Sequence, residues 1–211
     1  MLEQYTPAEG YVAPPQKGSR LAAALLRVLG WKAVFPQLPA PRGLIVVYPH
    51  TSNWDFAIGL LYKWALGMPL HFWIKESWTN IPVVGAWMRW LGAVGINRQA
   101  PTGVVEQTQQ AMQTEPFFWL AVTPEGTRSY GNGWRTGFYH VWKASDCPLG
   151  LAFIDFGKRE IGFDHFVQCS GDMAADFAGL AAYYQGRQGY HPEKAAPVQP
   201  FVRNAPSKEK A

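Results

Sequence analysis

A histidine and a carboxylate stand five positions apart in His50-Thr51-Ser52-Asn53-Trp54-Asp55, just after a short apolar run. Imidazole is the side chain that exchanges a proton near neutral pH, and a carboxylate on one ring nitrogen leaves the other free as a general base. On an unbroken helix, residues this far apart diverge by about 140°, at about 100° per residue, and could not meet. They meet if the helix begins after His50, with Ser52 or Asn53 as N-cap and Asp55 in the first turn. The helix N-terminus would then keep Asp55 ionised. Read alone, the stretch is equally a capped helix beside an unrelated surface histidine, because short motifs recur by chance.

A second stretch, Glu125-Gly126-Thr127-Arg128, has the parts of an anion cradle. Gly126 allows close backbone approach. Thr127 brings a hydroxyl and an N–H, and Arg128 a planar fork that matches phosphate. Glu125 would hold the arginine or take a substrate hydroxyl. Lys75 and Arg98 would add positive charge. The plain alternative is a polar turn with a local Glu–Arg pair and two solvated cations.

The elements that must position these residues follow from the pattern of apolar runs. Residues 43–48 read as a buried strand ended by Pro49, and 54–66 as a helix. A second strand, 70–74, has Lys75 and Glu76 at its exit. A helix over 83–91, a short extended piece ending at Asn97-Arg98 and a glutamine-rich helix over 102–113 lead to a third strand at 117–122. Beyond it come the 123–129 loop, a helix over 137–144, a fourth strand at 149–156 and a hairpin partner at 160–168. The last helix spans 173–184. This alternation predicts an α/β domain with a mostly parallel central sheet flanked by helices. Parallel strands would bring His50, Lys75 and Glu125 to one edge, where open sheets bind ligands.

An N-terminal amphipathic helix is expected over 20–31, capped by Ser19. Leu21, Leu25, Val28 and Leu29 share one face, and Arg20 and Arg27 another. The pattern suits a membrane surface or packing onto the domain. Pro36, Pro39 and Pro41 form a stiff connector. The chain divides into an irregular arm at 1–18, one domain at 19–188 and a proline-bearing tail, read as loose, at 189–211.

With 211 residues, 48% of them hydrophobic, a full core is expected. A net charge of +4 suits phosphate-bearing substrates or an anionic membrane and is no nucleic-acid footprint. Ten tryptophans and nine tyrosines favour a membrane–water interface or a large core. Cys147 and Cys169 form no C-x-x-C, so a reducing compartment without a disulfide scaffold is expected. No secretory leader is read at the N-terminus, and no run approaches the ~20 apolar residues of a spanning helix.

Taken together, the motifs resemble the glycerolipid acyltransferase family, which includes the lysophosphatidate (1-acylglycerol-3-phosphate) acyltransferases. His50 to Asp55 matches the family's H-x-x-x-x-D. Lys75-Glu76, Ile81-Pro82-Val83-Val84-Gly85 and Gly95-Ile96-Asn97-Arg98 look like the second block. Pro124-Glu125-Gly126-Thr127-Arg128-Ser129 is similar to the third, and Cys147-Pro148-Leu149-Gly150-Leu151-Ala152 is a weaker likeness of the fourth. Three departures stand out. Thr123 replaces a common aromatic residue, Tyr48-Pro49 replaces a frequent asparagine, and Gly150 replaces a second proline.

The resemblance implies acyl transfer from acyl-CoA or acyl carrier protein to a hydroxyl of a lysophospholipid-like acceptor, as in phospholipid biosynthesis. His50 would be the base and Asp55 its orienting partner. Lys75, Arg98, Glu125, Gly126, Thr127 and Arg128 would bind substrate, with no metal or other cofactor. The expected location is cytoplasmic, peripheral on the inner face of the cell membrane. Trp54, Phe56, Trp73, Trp78 and Trp87 would line the acyl path, dock on the membrane or pack the core, the last being the commoner role. Rival readings are a hydrolase using Ser52, which lacks a G-x-S-x-G elbow, a non-catalytic lipid-binding module, and transfer to an amino-acid lipid or glycolipid.

Overall fold

The computed structural model describes residues 2–13, 17–35, 37–96 and 103–202. The chain runs α1 (Arg20–Val28), β1 (Lys32–Val34), β2 (Arg42–Tyr48), α2 (Trp54–Leu66), β3 (Leu70–Lys75), α3 (Glu76–Thr79), α4 (Val84–Trp90), β4 (Ala93–Ile96), α5 (Val104–Thr114), β5 (Phe118–Val122), α6 (Gly137–Ser145), β6 (Leu149–Asp155), β7 (Glu160–Val167) and α7 (Met173–Tyr184). The strands form one sheet in the order β1-β7-β6-β2-β5-β3-β4. Every pairing is parallel except the β6–β7 hairpin. The expected α/β class and mostly parallel sheet are what the chain adopts.

Side-chain alternation along β2 divides the apolar residues into two cores. Leu44, Val46 and Tyr48 pack with Met112 of α5, Phe138 and Trp142 of α6, and Phe177 and Leu180 of α7. Ile45 faces the other way, with Leu26 of α1 and Ile58, Tyr62 and Leu66 of α2. Burial of these aromatic and aliphatic side chains, each worth about 1.5–3 kcal/mol, holds the layers together. The α3–α4 excursion lies on the α1–α2 face. A side chain at Gly95 would strike Thr79, whereas its neighbour Val94 packs with the opposite core.

Several expectations need correction. Helix α1 ends at Val28, because Gly30 turns back at φ +78 and Trp31 is buried. The residues that follow form the three-residue strand β1 on β7, which the proline-rich flank hides. Helix α1 packs on α2 through Ala22 and Leu26 and leaves the apolar stripe outward, with Leu21 71% and Val28 83% exposed. The arm is partly paired: Tyr5 N–H donates to Phe166 O and Gln168 N–H to Glu3 O. Residues 189–202 are not loose. Ala196 is 1% exposed, and the backbone at Trp134 exchanges hydrogen bonds with Gln199 and Phe201. Among the described residues, no helix is long and apolar enough to cross a membrane.

Candidate active site

Strands β2 and β5 are neighbours, so the loops that leave their ends lie side by side. Tyr48 ends β2, a cis peptide joins it to Pro49, and α2 begins at Trp54. The helix therefore starts beyond His50. Asn53 occupies the N-cap position, and the Ser52 hydroxyl accepts the Trp54 N–H at 3.2 Å.

This start folds Asp55 back over the loop. Its Oδ2 accepts the N–H of Thr51 at 2.7 Å and of Ser52 at 2.9 Å, and lies 3.1 Å from His50 Nδ1. Asp55 is buried, and its other oxygen has no hydrogen-bond partner among the described residues. With Nδ1 facing a carboxylate, the proton belongs on Nδ1 and the Nε2 lone pair is left available.

Glu125 does something the sequence did not suggest. It is 4% exposed, and among the described residues no ion pair joins it to Arg128. Its Oε2 accepts the His50 N–H at 2.6 Å, and its Oε1 accepts the Ala196 N–H at 2.9 Å. The carboxylate clamps together the histidine loop, the end of β5 and the C-terminal segment, and among the described residues it makes no ion pair with an arginine. Burial pushes its carboxyl up to about 7; the two N–H donors pull the other way, and the Asp55 charge adds to the rise.

The C-terminal segment braces the same loop twice more. The His191 N–H donates to Thr51 Oγ1 at 3.1 Å, and the Tyr48 hydroxyl donates to Ala196 O at 3.1 Å. At Gly189 a Cβ would lie 2.6 Å from Thr51 Oγ1, so only glycine lets the chain pass there.

His50 lines two cavities. One is apolar and runs between α2 and the sheet, lined by Val47, Phe56, Gly59, Tyr62, Ala121 and Phe163 together with His50 and Asp55. The other is a cleft of mixed lining, in which Trp73, Ile74 and Phe138 stand beside His50, Lys75, Thr123, Gly126, Thr127, Arg128, Arg135 and Gly137. Gly126 turns the loop at φ +68, closed by its N–H to Thr123 O at 3.0 Å. Helix α6 starts at Gly137 in this cleft, so its positive N-terminal end adds to the cations. Among the described residues no carboxylate makes an ion pair with Lys75, Arg128 or Arg135.

The structure thus brings His50, Asp55, Lys75, Gly126, Thr127 and Arg128 together, with Glu125 beneath them. Arg98 lies outside the described residues. Arg135 escaped the sequence reading because the glycine-rich loop around it carries no periodic signal. Trp54, Trp78 and Trp87 are exposed rather than in the core. Ser52 is buried, lines neither cavity and has its hydroxyl engaged at the helix start, which disfavours it as a nucleophile.

The family model described as Acyltransferase matches residues 35–150. That is more than half of the 211 residues, and the chain belongs to this acyltransferase family. No curated protein matches it. Among solved structures it is similar to the crystal structure of the 1-acyl-sn-glycerophosphate (LPA) acyltransferase PlsC from Thermotoga maritima, with 17% identity, a TM-score of 0.50, and coverage of 80% of this chain and 78% of that one. At that identity the likeness is one of fold.

The clamp yields a pH signature. The Glu125 pKa is about 7 in the folded protein against an ordinary 4.5, so the native state holds this proton more tightly than the unfolded chain. Its contribution to stability is full below pH 4.5 and is lost as pH rises through about 7. In urea titrations, the stability of the native protein minus that of Glu125→Gln is expected to fall by up to about 3 kcal/mol over this range. A difference that stays flat or grows with pH would contradict the burial of this carboxyl.

Proposed function

We propose that this acyltransferase moves a fatty acyl group from an acyl-CoA or acyl carrier protein thioester to the free hydroxyl of 1-acylglycerol-3-phosphate, a reaction of phospholipid biosynthesis. The observation that carries the reading is the position of His50 between an apolar cavity and a cationic cleft. An acyl chain suits the first. A phosphate suits the second, through Arg128, Lys75 and the backbone at Gly126 and Thr127.

In the reaction, His50 Nε2 takes the acceptor's hydroxyl proton as its oxygen attacks the thioester carbonyl. The tetrahedral intermediate collapses, the C–S bond breaks, and the departing thiolate recovers the proton from the imidazolium. Asp55 orients the ring and stabilises its cationic form. The acceptor oxygen is itself the nucleophile, so no acyl-enzyme forms. Holding both substrates at one histidine supplies much of the rate enhancement.

A membrane surface belongs to the same reading. Large exposed hydrophobic residues crowd the helices of one face: Leu21 and Val28 on α1, Trp54 and Trp64 on α2, Trp78 on α3, Trp87 and Trp90 on α4. Among the described residues α5, α6 and α7, on the opposite face, expose none. Tryptophans favour the bilayer interface, and Arg20, Arg27 and Arg89 supply charge for anionic lipid. Such a face would seat the protein peripherally on the inner side of the cell membrane, where its lipid substrates lie.

Two measurements test this. A panel of lysolipids offered with labelled acyl-CoA or acyl carrier protein is expected to give phosphatidate, identified by mass. His50→Ala should lower the rate by about 10²–10⁴-fold with an unchanged melting temperature. A folded, fully active His50→Ala protein would remove the base. Trp87→Ser with Trp90→Ser should lower the fraction that sediments with phosphatidylglycerol-containing vesicles, and unchanged sedimentation would rule out this face.

A further inference from the structure

The cationic cleft contains a guanidinium that the reading above leaves without a task. Arg135 is held on both sides by its backbone. Its own N–H donates to Pro124 O at 2.8 Å. The preceding Trp134 donates to Gln199 O at 2.7 Å and accepts the Phe201 N–H at 2.8 Å. The side chain then crosses Gly126 so closely that a Cβ there would lie 3.3 Å from Arg135 Cγ. Its guanidinium ends over the ring of Phe201, with Cζ 4.1 Å from the ring centre.

This arrangement sets the cation against a ring face and engages none of its N–H donors in a hydrogen bond among the described residues. A ring beneath the cation holds the plane by cation–π attraction without consuming a donor. The five N–H groups lie in that plane and suit two phosphate oxygens at once. No hydrogen bond or ion pair engages them among the described residues, and Arg135 lines the same cleft as Arg128 and His50. An arginine fixed in orientation, short of acceptors and open to a substrate cleft has the form of an anion receptor.

We infer that Arg135 is a second phosphate-binding arm for the acceptor, in the same cleft as Arg128, and that Phe201 is the positioning residue that holds it. The inference rests on the acyl-acceptor reading given above. It gives the C-terminal segment a part in recognising substrate: the run that donates Ala196 N–H to Glu125 beneath His50 also aims Arg135 into the cleft. The ligand chemistry is a phosphate monoester, whether a lipid headgroup or free phosphate.

The test uses the full chain. With 1-acylglycerol-3-phosphate as acceptor, Arg135→Ala should raise the acceptor KM by about tenfold or more, leave the donor KM unchanged, and lose activity through KM rather than kcat. Arg135→Lys should recover part of the loss, since it keeps the charge but not the fork. Phe201→Leu, which keeps the bulk but not the ring face, should raise the same KM, and Phe201→Tyr should restore it. In parallel, calorimetry measures binding of sn-glycerol 3-phosphate, inorganic phosphate and glycerol to the wild type and to Arg135→Ala.

Tighter binding of the glycerol ester than of inorganic phosphate marks a headgroup site, the reverse marks a free-phosphate site, and both outcomes support the receptor if Arg135→Ala weakens them about tenfold. If the wild type makes no phosphatidate, the acceptor reading fails and the calorimetry alone decides Arg135. An unchanged acceptor KM in Arg135→Ala, or phosphate binding that is absent or indifferent to the substitution, overturns the inference.

Discussion

Two buried carboxylates hold the loop that carries His50. The backbone N–H groups of His50, Thr51 and Ser52, three in succession, are donated to Glu125 and Asp55. A carboxylate removed from water is costly unless its oxygens are hydrogen-bonded. The cost ties the loop to one conformation: moving it would strand both carboxylates and three N–H groups. The imidazole is thus set by its backbone as well as by the contact from Asp55 to Nδ1. Glu125 extends the hold to β5 and to Ala196, so the ends of two neighbouring strands and the C-terminal segment share one anchor.

The consequences of that anchor are electrostatic and spatial. Asp55 and Glu125 lie buried beneath the loop, and the open side of the site meets Lys75, Arg128, Arg135 and the start of α6. The histidine therefore looks onto a cationic surface on one side and an apolar cavity on the other. The helical layers show a similar division. The one containing α1 to α4 exposes aromatic and aliphatic side chains, and the one containing α5 to α7 keeps them covered. A lipid-handling enzyme has use for such an asymmetry, since its substrates carry a charged group and a long apolar chain.

Much of this was legible along the chain. Helix α2 spans the expected 54–66, starting after an N-cap at Asn53 and stopped by Gly67 in the left-handed conformation, because helix boundaries are written locally. The meeting of His50 and Asp55 followed from the same boundary. Glu125 was misread because Arg128 is its obvious neighbour in sequence, while its true partners come from His50 and Ala196, 75 and 71 residues away. The packed segment after Gly189 was missed for a like reason. Its prolines signal irregular backbone, and irregular backbone held by contacts 140 and 148 residues distant looks in sequence like a tail. The stripe on α1 was legible as apolar, but a stripe does not say which way it faces. Here the small Ala22 and Leu26 pack, and the stripe remains outside.

The most direct measurement of the central geometry is the protonation state of the two His50 nitrogens. In ¹⁵N-histidine-labelled protein, long-range proton–nitrogen correlations distinguish the tautomers, and the signals lost in His50→Ala identify the residue. At a pH where the ring is neutral, the proton is expected on Nδ1, facing Asp55, with Nε2 bare, and Asp55→Asn should disturb that preference. A neutral His50 with its proton on Nε2, or one indifferent to Asp55→Asn, would mean that the carboxylate does not set the base, and the mechanism built on it would fall.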